Sequence, residues 1–125
     1  MPIISFKKQF ADSVKLGIKE QTIRKNGKRK YKVGDKLYLY TGLRTKGCKK
    51  LGEGKIKAVK SIYIDWNLIV LDGEKLNNIQ KYELSHLDGF NDTYELEKWF
   101  DKIHGLPFEG RLIKWDLVRR ERDEM

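Results

Sequence analysis

Within the run Gly17-Ile-Lys-Glu-Gln-Thr-Ile-Arg-Lys, an amine, a hydroxyl and a guanidinium stand at Lys19, Thr22 and Arg24. Side chains alternate along an extended backbone, so Thr22 and Arg24 face one side and Ile23 the other. Lys19 has the opposite parity and joins them only from the turn after Gly17. A lysine near Arg24 and Lys25, partly withdrawn from water, has its pKa lowered. That yields a neutral amine able to act as base or nucleophile near neutral pH. Thr22 then donates to a carbonyl or serves as the activated hydroxyl. Arg24 does not exchange its proton, and its fork of donors suits a phosphate or carboxylate. The same residues have a plainer reading: threonine favours strands, and solvated lysines keep a small protein dispersed.

More cations follow. Lys25, Lys28, Arg29 and Lys30 crowd the next turn, and Arg44, Lys46, Lys49 and Lys50 fill a glycine-rich stretch. Residues 1–60 hold 18 Lys and Arg against 4 Asp and Glu, a net +14, while residues 61–125 hold 9 against 14, a net −5; together they give the chain's +9. So polarised an excess points to a polyanion, because each phosphate met by Lys or Arg releases condensed counterions. These cations, with Arg24, are the expected phosphate contacts. Tyr38 and Tyr40, on one face of an alternating strand, are the expected base-stacking residues.

The elements that must position these groups are short and mixed. With 125 residues, 39% of them hydrophobic, the chain suffices for one core. One domain over residues 1–118 is expected, with a charged tail at 119–125. Mean hydropathy is −0.67 and no apolar run approaches the roughly 18 residues of a membrane span. A soluble, cytoplasmic protein without a membrane partner is therefore expected. Cys48 is the one cysteine and the histidines are His86 and His104, so no disulfide forms within the chain and no metal-ligand spacing is present. No metal or cofactor is expected.

"IISF" reads as a strand, and "KKQFADSVKLGI" as a helix with Phe6, Phe10 and Val14 on one face, stopped at Gly17. "KEQTIRK" and "DKLYLYTG" read as strands, "LRTKGCKKLGEG" as a mobile loop and "KIKAVKSIYI" as a long strand. In that strand Ile56, Ala58, Ile62 and Ile64 keep one parity that Lys60 breaks, which predicts a bulge near Val59 to Ser61. A further strand at "LIVL" precedes two helices. The second carries Tyr94, Leu96, Trp99, Phe100 and Ile103, and "RLIKWDLV" closes the pattern with Ile113, Trp115 and Leu117 on one face. Phe10, Trp99, Phe100 and Trp115 are assigned to the core, Trp66 and Asn67 to a loop. Short, bent strands with two or three helices imply an α+β domain on a curled sheet or small barrel.

"FADSVKLGIKEQTIR", then "YKVGDKLYLYTG", then "LDGF" ahead of a helix ending near "WF", resembles the ASCH domain family from about Phe6 to Trp115. The resemblance implies a PUA-like β-barrel with a pocket at one end. Lys19 stands where the family's bacterial amidohydrolases, which deacetylate N-acetylated cytidine, place an essential lysine; Thr22 and Arg24 match their threonine and arginine. Asp88 falls at their acidic position, usually glutamate, and is one methylene shorter. Glu20 and Gln21 replace the small hydroxyl and aliphatic residues often found after the lysine. Asp88 is thereby implied as a proton carrier beside Lys19. Other members are associated with ribonuclease activity or plain nucleic-acid binding. Two functions stay open: an RNA- or modified-nucleoside-binding protein, RNA rather than DNA, or a metal-independent hydrolase acting on acylated cytidine or RNA.

Overall fold

The structure, a computed structural model, describes residues 2–118. The strands are β1 (Ile3–Phe6), β2 (Gln21–Lys25), β3 (Lys36–Thr41), β4 (Lys49–Asp65), β5 (Leu68–Leu71), β6 (Glu74–Lys75) and β7 (Phe108–Val118). The helices are α1 (Lys8–Lys15), α2 (Asn78–Leu87) and α3 (Thr93–Ile103). All seven strands form one mixed sheet, with β1 parallel to β3 and every other pairing antiparallel. Strand β4 is its spine: β3 pairs with its first half, β5 with its end, and β7 with Glu53 to Ile64. None of the described helices is long and apolar enough to cross a membrane.

The glycine-rich stretch expected as a loop is strand from Lys49 onward, leaving only the short turn 42–48. Packing explains why. Trp115 is fully buried, and a Cβ at Gly54 would lie 2.7 Å from its ring, so the glycine makes room for the largest core residue rather than breaking the strand. The bulge is also displaced from its expected position, falling between Ile56 and Ala58. That extra residue at Lys57 hands the inward phase to Val59 and turns Lys60 outward. Ile56 and Ile62, equal in numerical parity, therefore lie on opposite faces. One face packs with Trp115 and Ile113, the other with Phe108, whose ring meets Phe100 of α3 at 4.9 Å.

Two other expectations shift. Phe6 belongs to β1, so the buried face of α1 is Phe10, Ala11 and Val14. On α3 the buried residues are Leu96, Glu97 and Phe100, while Tyr94 and Ile103 are 62% and 42% exposed. Tyr94 instead covers Trp66 at the β4–β5 turn, with ring centroids 6.3 Å apart. That turn anchors both helices. The Asn67 N–H donates to Glu97 of α3 at 2.8 Å, and Lys81 of α2 donates to the Asn67 carbonyl at 3.1 Å. The first part of α2 is thereby fixed to the β4–β5 turn, and its last turn meets Gln21 of β2 through the Leu84 carbonyl.

Strands β1 and β2 share no backbone ladder among the described residues, so the sheet is not closed by pairing. Side chains span the gap. Arg24 donates to the Ser5 carbonyl at 2.9 Å and Arg29 to the Ile3 carbonyl, satisfying the outward acceptors of the β1 edge. On its other side β2 approaches β7 so closely that a Cβ at Gly110 would collide with the Arg24 carbonyl oxygen. Arg24 is thus held by its backbone against β7 and by its side chain against β1.

Candidate functional site

Gly17 takes φ 79°, and the N–H groups of Ile18 and Lys19 both reach back to the Ser13 carbonyl, at 2.9 and 3.0 Å. This reversal delivers Lys19 into β2 from outside the strand's alternation, and its side chain joins those of Thr22 and Arg24. Lys19 is 3% exposed. Its Nζ donates to the Asp88 carbonyl oxygen at 2.7 Å and lies 3.3 Å from Asp88 Oδ1, 5.0 Å from the Phe10 ring centroid.

Asp88 caps the C-terminus of α2 and is equally buried. Gln21 Nε2 donates to its Oδ1 at 3.1 Å and to the Leu84 carbonyl at 3.3 Å, which orients the carboxyl group. Sequence reasoning noted Gln21 only as a departure from the family pattern; the structure makes it the third member of this cluster.

Burial dominates the electrostatics. It lowers the Lys19 pKa, against the opposing pull of Asp88, and raises that of Asp88, against the opposing pulls of Lys19 and Gln21. The first cause for Lys19 is therefore desolvation rather than its cationic neighbours, of which Arg24 adds a smaller push. Both shifts favour the uncharged forms. A neutral amine facing a protonated carboxyl carries the same one proton as the ion pair, so the two arrangements differ only in where that proton sits.

Arg24 Nε donates to Thr22 Oγ1 at 3.0 Å, and the guanidinium lies 5.1 Å from the Phe6 ring centroid. With Nε and one Nη2 hydrogen engaged, three of its five N–H donors have no hydrogen-bond partner among the described residues. Thr22 accepts from Arg24, which leaves its own hydroxyl proton to donate.

Lys19, Thr22, Arg24, Lys25 and Asp88 all line one cavity of about 120 Å³. Part of its lining is aromatic: Phe10, Phe90 and Trp99 meet pairwise at centroid distances of 5.7 to 6.2 Å. Trp99, assigned to the core from sequence, is half-buried and forms part of that lining. His104 also lines the cavity, stacked on Phe100 and set against Phe108. Although His104 is exposed, partial desolvation, then Lys25, Arg24 and Lys7, hold its pKa below the usual histidine value. Nothing in the local pattern ties Phe90, Trp99 or His104 to Lys19, because they reach it only through the docking of α2 and α3.

The remaining predicted contacts lie elsewhere. Lys28, Arg29 and Lys30 are exposed in the 26–35 loop, and Arg29 is engaged with Ile3. Arg44 and Lys46 occupy the 42–48 turn; Lys49 and Lys50 begin β4. Tyr38 is half-buried, with Lys36 and Lys50 over its ring at 6.0 and 5.5 Å, and lies outside the cavity lining. Tyr40, also half-buried, pairs across the strands with Lys50. No protein-family profile matches the chain, and neither a curated protein nor a solved structure matches it.

Proposed function

We propose that the chain is a cytoplasmic RNA- or nucleoside-binding protein of the ASCH type, its curled sheet a PUA-like barrel. One observation carries this reading: a single cavity is lined together by the Arg24 guanidinium, a buried lysine and three aromatic rings. Aromatic faces accept a base by stacking, worth about 1–3 kcal/mol per base, and the arginine fork suits a phosphate or a base carbonyl. Trp99 supplies the test. Of the three tryptophans, Trp115 is core and Trp66 is outside the cavity lining, so a nucleotide entering the cavity should quench fluorescence through Trp99. The quenching is expected to persist in Trp66→Phe and to vanish in Trp99→Phe. Unchanged fluorescence and no measurable binding for every nucleotide would remove the reading.

The buried Lys19–Asp88 pair favours a second reading, hydrolysis of an acylated cytidine. Starting from the neutral pair, Lys19 takes a proton from water as its oxygen attacks the acyl carbon. Asp88 gives its proton to the departing amine nitrogen, and Arg24 or Thr22 donors meet the developing oxyanion. The pair ends as an ammonium and a carboxylate, and return of that proton restores it. Ribonuclease activity would need a 2′-hydroxyl beside Lys19 and is distinguished by its product.

A further inference from the structure

Phe6, Lys7 and Arg24 of the cavity lining also border an open depression of about 610 Å³, together with Lys8, Thr41 and Gly42. That depression shares Lys8, Thr41 and Gly42 with a cleft of about 540 Å³ between α1 and the 42–48 turn. Along the depression and the cleft stand Lys7, Lys8, Lys15, Lys49 and Lys50, with Asp12 the one carboxylate among the described residues that line them. Lys8, Asp12 and Lys15 share one face of α1, and Lys8 and Lys15 are about 10 Å apart along its axis. Among the described residues Lys50 is paired with Glu53, whereas Lys7, Lys8, Lys15 and Lys49 are in no ion pair.

We propose that this groove carries the phosphodiester backbone of a single-stranded RNA whose base occupies the aromatic cavity, an inference that rests on the binding function above. A cavity of about 120 Å³ admits a base only when it is unstacked from its neighbours, which single strands permit. The flanking phosphates then have a cationic channel leading from Arg24 along α1. The functional cations are thereby divided. Lys7, Lys8 and Lys15, which the local pattern marks only as helix residues, lie on the strand's path, while Lys28 and Lys30 lie off it.

The test compares two triple charge reversals of exposed lysines. Lys8→Glu/Lys15→Glu/Lys49→Glu alters the groove; Lys28→Glu/Lys30→Glu/Lys55→Glu makes the same net change outside it. The probes are a short labelled single-stranded RNA and cytidine monophosphate. The groove variant is expected to bind RNA at least about tenfold more weakly, with a log-log salt slope shallower by about 2, at roughly 0.7 per lost contact. Cytidine monophosphate affinity should stay within about threefold of the parent. The off-groove variant should keep the parental salt slope. Thermal melts confirm folding, and Lys8→Gln/Lys15→Gln/Lys49→Gln repeats the measurement without introduced repulsion. Equal losses in the two Glu variants, or polyglutamate displacing RNA with the same lysine dependence, overturn the groove while nucleotide binding stands. Failure of the parent to bind either probe overturns the binding function itself.

Discussion

Lys19→Arg and Lys19→Ala are each expected to lower turnover of an N-acetylated cytidine by about 100-fold or more, the usual worth of a positioned proton acceptor. Arginine preserves the charge, yet it does not surrender its proton near neutral pH. Binding through Arg24 and the aromatic wall survives both changes, so kcat falls far more than KM rises. Initial rates on parent and variants, with melting curves to establish folding, check this directly. Full activity in Lys19→Arg contradicts proton transfer by Lys19. A parent that binds nucleotide tightly and turns over no acylated cytidine leaves binding as the function and Lys19 as a buried contact.

Asp88→Asn should change how stability depends on pH. In the parent the buried pair holds one proton around neutrality, as Lys19 and Asp88 together do in the unfolded chain, so its contribution there is flat. The asparagine variant removes the carboxyl that shares this proton, while the main-chain carbonyl at position 88 still accepts from Lys19, itself 3% exposed. The sign follows from burial, which lowers the Lys19 pKa from its ordinary 10.5. A group whose folded pKa is depressed stabilises above its unfolded pKa, and that stability is lost as pH falls through the folded value. The variant should therefore recover with rising pH by up to about 1.4 kcal/mol per unit, until the pH reaches the unfolded lysine's range. Denaturant titrations from pH 6 to 10 read this slope against the parent. Parallel curves for the two proteins would mean that Lys19 finds water or another partner.

What the sequence made legible was local. Gly17, Lys19, Thr22 and Arg24 lie close along the chain, and a glycine reversal followed by strand alternation suffices to bring their side chains together. The mixed α+β class was legible too, from the switching periodicity between helix and strand segments. Asp88 entered only by resemblance, since an aspartate before glycine reads as an ordinary helix end, and here it is indeed the C-cap of α2. The aromatic wall was illegible for a different reason. Phe10 and Trp99 carry the same helical spacing whether they fill a core or face a cavity, and only the tertiary placement of α3 decides. Strand β4 shows the same limit, because "LGEG" is loop-like in composition and becomes strand only once Trp115 occupies the space above Gly54. The bulge at Lys57 followed the cross-strand partners Trp115 and Ile113, which no window around Lys60 contains.

The most direct measurement is a crystal structure of the chain with cytidine monophosphate at saturating concentration. The account predicts the base against Phe10, Phe90 and Trp99, an oxygen of the ligand on the Arg24 donors, and Lys19 within hydrogen-bond reach of the base or its substituent. A nucleotide seated at the 26–35 loop, with the cavity between Lys19 and Trp99 filled by water alone, would contradict it.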